Sequence, residues 1–193
     1  MLGRMADRRI TDLKALSAMS HPLRRRMMDV LKLDGPATAG RLAERLDQAV
    51  GNVSHHLRVL AAAELIAEVP ELARDRRERW WRLTHDSLRW SSSDFSGDAA
   101  ESVVAGAALS LNLDRQIGLV RASQERSQGP ELDPWQEHAF STDKWMRLTP
   151  AELAELSEQV IALLNGWAER ELPDDGQRRE PVFVFAHGVP GAP

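Results

Sequence analysis

Apolar residues recur about every 3.6 positions through residues 10–66, in short blocks parted by turn-forming residues, which predicts a run of amphipathic helices. The first block holds Ile10, Leu13 and Leu16, with Ala15, Ala18 and Met19 widening its stripe. Ser20-His21-Pro22 restarts the chain: Ser20 is an N-cap candidate, and a proline suits a first helical turn because the N–H it lacks has no partner there. Leu23, Met27, Val30 and Leu31 form the apolar face of the second helix, Arg24, Arg25 and Arg26 mostly point away, and Asp34-Gly35-Pro36 stops it. Thr38 caps a short third helix whose Ala39, Leu42, Ala43 and Leu46 share one face. Asp47 to Gly51 reads as a tight connection using Gly51. The fourth helix, from about Gly51 to Ala63, turns Val53, Leu57 and Leu60 inward and leaves Asn52, Ser54, His55 and Arg58 outside.

The period then changes to two. Residues 66–72 and 78–83 read as strands of a hairpin, with Pro70 confining the first to an edge or bulge. Its tip, residues 73–77, carries Arg74, Arg76 and Arg77, with Arg79 close behind. After a polar hinge at residues 91–94, the pattern supports one long helix over 97–127, on the order of 45 Å at 1.5 Å per residue. Gly106 and Gly118 each weaken that helix by about 1 kcal/mol relative to alanine and permit a close helix–helix approach. Gln128-Gly129-Pro130 breaks it, and residues 138–140 and 145–148 are weak strand candidates. Thr149-Pro150-Ala151-Glu152 is a capping box opening a helix over 149–170, with Leu153, Leu156, Val160, Leu163 and Trp167 along it. Residues 181–187 read as a buried strand, expected to pair within 137–148 beneath that helix.

The pattern therefore predicts a mainly α fold with a small β component (α+β): a domain over 1–90 and a C-terminal dimerisation or effector region over 91–193. Charge sharpens the division. The whole chain carries −4, but residues 1–90 hold net +5 and residues 91–193 net −9, so the first part is the one able to meet a polyanion. Only three of the 25 basic residues are lysine, so an arginine does not by itself signal phosphate binding. Cysteine is absent, which excludes disulfides, thiol nucleophiles and thiolate metal sites and makes a cytoplasmic protein the expectation. Neither a membrane span nor a secretory signal is expected, because no apolar run approaches ~18 residues and the N-terminus is charged.

Helix, helix, short helix, tight turn, polar-faced helix and basic hairpin together resemble a winged helix-turn-helix, and the residues resemble the ArsR (arsenic-resistance-repressor-like) family. Four segments carry the likeness, SAMSHPLRRRMMDVL, TAGRLAERL, GNVSHHLRVLAAAELI and RERWWRLT, within residues 10–90. The resemblance implies a dimeric regulator of transcription, expected to be a repressor, that binds an inverted repeat in double-stranded DNA. The long helix and the N-terminal helix would form its dimer interface. It implies base contacts from Ser54 and His55, an approach to the groove by Gln48 and Asn52, and a phosphate contact from Arg58. His56 falls where the family packs the helix. Thr38 at the head of the third helix and the wing residues Arg74, Arg76, Arg77 and Arg79 complete the DNA-binding candidates.

Two departures from the family follow from the residues. Glu64 stands where the family usually has glycine, and a left-handed conformation there costs roughly 1 kcal/mol. Metal sensing through the family's usual sites is not expected, since residues 38–47 hold neither Cys nor His and 97–127 hold no His. His55 and His56 are adjacent and point about 100° apart, a poor chelating pair. No ligand spacing links His138 and His187, so neither a metal nor a cofactor is expected. Trp81 and Leu83 share one strand face and read as packed. Trp135, Trp145 and Trp167 are core by default, lining of a small organic effector pocket being the alternative. His85-Asp86 reads as a turn, and with no phosphate loop, nucleophile elbow or zinc-protease motif the chain does not read as an enzyme. The rival from another class is a protein-interaction module built on a winged-helix scaffold, its acidic half recruiting the partner.

Overall fold

A computed structural model of the chain describes residues 8–75, 77–85, 88–90, 92–95, 97–126, 135 and 137–192. The chain divides into two units, 1–117 and 118–193. In the first, β1 (Arg8–Arg9) leads into α1 (Leu13–Ser20), α2 (Pro22–Asp34), β2 (Ala37–Thr38), α3 (Ala39–Leu46) and α4 (Val50–Ala62). There follow β3 (Ile66–Glu68), a 3-10 turn at Pro70–Leu72, β4 (Trp80–Leu83), β5 (Leu88–Arg89), a second 3-10 turn at Ser92–Phe95 and α5 (Ala99–Arg126), whose residues from 118 onward belong to the second unit. The predicted α+β class holds.

One apolar core joins these elements. Leu16, Met27, Leu42, Val53, Leu57, Leu60 and Leu65 are buried, so α1 to α4 each contribute the stripe their spacing predicts. Each fully buried Val, Leu or Met contributes on the order of 1.5–3 kcal/mol. Trp81 and Leu83 of β4 add to the core from the sheet, as their shared face requires. The sheet has three strands in the order β2-β4-β3, both pairs antiparallel, with Ala37 and Glu68 flanking Trp81. The two-residue strand β2, immediately before α3, thereby ties the hairpin to the helices. A second short ladder pairs β1 with β5 in parallel, and Arg9 bonds Asp94. The three two-residue strands, β1, β2 and β5, are too short for a periodic signal, and the hairpin strands are shorter than predicted because Pro70 opens a helical turn instead of continuing β3.

Helix boundaries show which local signals held. Thr38 caps α3, its hydroxyl accepting the Arg41 N–H at 3.3 Å. Asp12 caps α1, whereas α2 is capped by His21 and not by Ser20, whose hydroxyl instead donates to the Leu16 carbonyl. The turn between α3 and α4 is made by Asp47 in the left-handed region at φ 52°, while Gly51 lies inside α4. The Asp47 and Gln48 N–H groups donate to the Glu44 and Ala43 carbonyls, which satisfies the end of α3 without glycine. Glu64 repeats the device at φ 57°: its N–H and that of Leu65 donate to the Ala61 and Leu60 carbonyls, with Leu60 and Leu65 both buried. The Glu64 carbonyl also accepts from Arg8 and from the Thr84 hydroxyl, so four hydrogen bonds offset the cost of its backbone. The segment predicted as a hinge at 91–94 holds Phe95 at its end as a core residue, anchoring the start of α5; Ser91 lies outside the described residues. In the same unit Asp29 of α2 pairs with Arg115 of α5, and Ala105 and Ala108 are buried.

In the second unit the capping box opens α6 (Pro150–Glu169) as predicted: the Thr149 N–H donates to Glu152 at 2.7 Å and the Thr149 hydroxyl accepts the Glu152 N–H at 3.3 Å. The strand expected over 181–187 is not formed, and none forms over 137–148, so the pairing beneath α6 is corrected. Val182, Phe183 and Val184 are exposed. Without a partner ladder an extended segment gains no hydrogen bonds from being a strand, and water satisfies its backbone instead. The tail touches α6 locally, Gly188 lying against Leu153. Residues 128–130 lie outside the described residues.

Since Glu64 holds a left-handed backbone, Glu64→Gly is expected to raise stability by up to about 1 kcal/mol. A urea midpoint that stays unchanged or falls would contradict that reading.

Candidate nucleic-acid interface

α4 carries two opposed faces. Val53, His56, Leu57 and Leu60 are buried; Gly51, Asn52, His55 and Arg58 are exposed, and Ser54 is half-buried. The N-cap position is Ala49, which offers no side-chain acceptor, so the first N–H groups of α4 are left without a side-chain cap. Such a helix start favours anions. Beside it, Gln48 and Asn52 form one polar unit: the Asn52 amide donates to Gln48 Oε1 at 3.2 Å, and the Gln48 amide donates to the Asp47 carbonyl at 2.7 Å. One turn on, Arg58 Nε donates to the Ser54 carbonyl at 3.3 Å, which lays the guanidinium back along the exposed side of the helix. Five of the candidates, Gln48, Asn52, Ser54, His55 and Arg58, thus come together on one helix and its leading turn. Thr38 stands apart, half-buried, with its hydroxyl engaged in capping α3.

The hairpin tip is a second cluster, with a different electrostatic character from its arginine list. Residues 68–79 hold Glu68, Glu71, Asp75 and Glu78 against Arg74, Arg76, Arg77 and Arg79, so the tip is balanced in charge. Carboxylates organise it: Asp75 accepts the Arg77 and Glu78 N–H groups, and Glu78 accepts the Arg74 N–H at 2.8 Å. The Arg74 N–H holds the Glu78 carboxyl below its ordinary range. These bonds fix the turn and leave Arg74 and Arg77 exposed. Arg79 is also exposed, but it pairs with Glu68 at 3.0 Å across β3 and β4. Arg76 lies outside the described residues.

Two arginines absent from the candidate list take part in building the site. Arg41 of α3 lies over the ring of Trp80, 4.5 Å from its centroid, and so links the helices to the wing. Arg24, expected to point away from α2, turns back and donates to the Ala18 and Ser17 carbonyls at the end of α1. The Arg41–Trp80 contact bridges 39 positions of sequence and has no periodic signature. A polar residue beside a carbonyl-rich helix end would have been the signal for Arg24.

In the second unit, the arginine of Arg170 lies 4.3 Å from the Trp167 ring centroid, while Gly191 approaches Trp145. These two rings therefore have separate partners. Among the described residues, no three His, Asp or Glu side chains are grouped to hold a metal ion, and no helix is long and apolar enough to cross a membrane.

Three packed helices with a polar-faced fourth, followed by a hairpin, give residues 10–90 the arrangement of a winged helix-turn-helix. Residues 19–69 match the family described as a helix-turn-helix domain. Among curated proteins, the transcriptional repressor SdpR of Bacillus subtilis is 43% identical over 51 residues, which is 26% of this chain and 56% of the repressor. The match thus spans about half the length of that relative, and what this segment resembles is a regulator and not an enzyme. Among solved structures, reduced HlyU from Vibrio cholerae is 23% identical, covering 38% of this chain and 72% of that one at a TM-score of 0.33. A protein described as a possible transcriptional regulator for arsenical resistance is 26% identical, covering 55% and 96% at a TM-score of 0.33.

If the Arg41–Trp80 contact braces the wing, a double-mutant cycle of Arg41→Ala and Trp80→Leu should give a coupling of about 0.5–1 kcal/mol in chemical denaturation. Additive effects of the two substitutions would remove Arg41 from the bracing role.

Proposed function

We propose that the protein is a sequence-specific DNA-binding regulator of transcription, a repressor, that grips an inverted repeat as a homodimer. The observation that carries this reading is the exposed face of α4, where Asn52, His55 and Arg58 stand beside Gln48 at a helix start without a side-chain cap. Side chains at the first turns of such a helix reach base edges in a major groove, and the N–H groups beneath them favour phosphate. Asn52, Ser54 and His55 read bases. Arg58, Arg74 and Arg77 meet the backbone, and Arg79 does so only at the expense of its pairing with Glu68. Gln48 orients Asn52, and Thr38 sets the start of α3 near the phosphates. The repressor to which the helix-turn-helix segment is 43% identical supports the sign of regulation.

A dimer fits because one α4 reads only a few base pairs, while two copies about one DNA turn apart, ~34 Å, double the contacts on a palindrome. The exposed apolar residues Val103, Val104 and Leu111 of α5 are available to such a pairing. With no cysteine in the chain, the regulator does not sense metals through thiolates. It works in the cytoplasm without a cofactor.

Selection of bound fragments from the source genome is the test. An enriched inverted repeat is expected, whereas binding without sequence preference would contradict the reading and favour a protein-interaction module. On the selected site, His55→Ala should narrow the gap between operator and unrelated DNA. Arg77→Ala should weaken both equally and reduce the slope of log affinity against log salt by about 1. Arg79→Ala should change that slope by less, because Glu68 already neutralises it; equal slopes for the two variants would refute that ranking.

A further inference from the structure

We infer that His21 positions the recognition helix, and does so only as a neutral imidazole, so that the grip of the protein on DNA weakens on acidification. The inference rests on the reading of α4 as the DNA-contacting helix. His21 ends α1 and caps α2, its Nδ1 accepting the Leu23 N–H at 3.2 Å. A backbone N–H only donates, so this nitrogen carries a lone pair. The same ring packs on His56 of α4, with centroids 4.6 Å apart and planes tilted by 40°. His56 is itself buried, and it interrupts the apolar seam by which α4 is seated.

Arg24 closes the arrangement. Its Nε and Nη2 are held by the Ala18 and Ser17 carbonyls, which leaves Nη1 facing His56 Nδ1 at 3.5 Å. A guanidinium has no acceptor, so His56 too presents a lone pair at Nδ1. His55 stands edge-on to His56 at 5.3 Å. Among the described residues the charged groups acting on His56 are therefore His21, Arg24 and His55, and on His21 it is Arg24, with no carboxylate among them. A proton on His21 Nδ1 removes the cap and puts a cation at the start of α2, where the helix dipole opposes it. On His56 Nδ1 it sets a cation against a guanidinium that the α1 carbonyls prevent from retreating.

Burial first, and the neighbouring cations second, hold both imidazoles below their ordinary value of 6.5. In the unfolded chain the same two groups take up protons first as the pH falls. Their contribution to stability is therefore complete above about 6.5 and is progressively lost below it. The strained element is the one beside His55, so displacement of His56 re-aims the contact face of α4.

The test compares wild type with His21→Asn, since asparagine keeps the cap acceptor and cannot titrate. Affinity for one selected DNA fragment is measured from pH 7.5 to 5.5 at constant salt, and the imidazole signals and α4 amide exchange of free wild type are followed over the same range. The expected result is an affinity ratio that moves progressively against wild type as the pH falls from 6.5 to 5.5. His21 and His56 should titrate below 6.5, with α4 protection falling in step. A constant ratio, or imidazoles titrating at the ordinary value with α4 protection unchanged, would overturn the inference. Absence of DNA binding at every pH, with those titrations as expected, would overturn the DNA reading alone and support the proton-sensitive seating of α4.

Discussion

The seat of α4 is the constraint on which the rest of the first unit depends. A thirteen-residue helix is marginal on its own and is held in place by what its inner face buries. Val53, Leu57 and Leu60 supply that burial, against the helices before α4 and the sheet after it. Each is worth a few kcal/mol, a large share of the marginal stability of a small domain. Because the inner face is committed, the outer one is committed as well. Residues 52, 55 and 58 are exposed because 53, 57 and 60 are not, the two sets being separated by the geometry of a 3.6-residue turn.

The seat is not wholly apolar, and its polar point is where the helices are bolted together. His56 sits in the seam against His21 and faces Arg24, which is itself bound to the last carbonyls of α1. One small cluster thus joins the end of α1, the start of α2 and the middle of α4. Replacing it with hydrophobic packing would leave the α1 carbonyls and the α2 N-terminus without partners. The wing is braced by separate means: β2 pairs with β4, Arg41 lies over Trp80, and Asp75 and Glu78 tie the tip.

What was legible in the sequence followed from periodicity and short-range chemistry. The inner faces of α1 to α4, the cap at Thr38, the capping box at Thr149, the buried face of Trp81 and Leu83, and the packed role of His56 could all be read from spacing or from the family likeness. Features created by contacts between distant residues could not. The strands β1 and β2 contain two residues each, and Arg24 and Arg41 find their partners only in the fold. Gly51 was a misleading cue, because Asp47 and Glu64 adopt left-handed backbones that hydrogen bonds and buried flanking leucines stabilise without glycine. Residues 181–187 misled in another way. Their apolar run satisfies the composition of a strand, but a strand also requires a neighbour, and residues 137–148 do not provide one.

The central claim is that the outer face of α4, assisted by the wing tip, is the surface that meets DNA. Amide exchange of the full chain, free and bound to a selected DNA fragment, tests this most directly. The account predicts that protection on binding is gained over residues 48–58 and 74–79 and is unchanged over α6. Protection gained over 150–169 with none over 48–58 would contradict it.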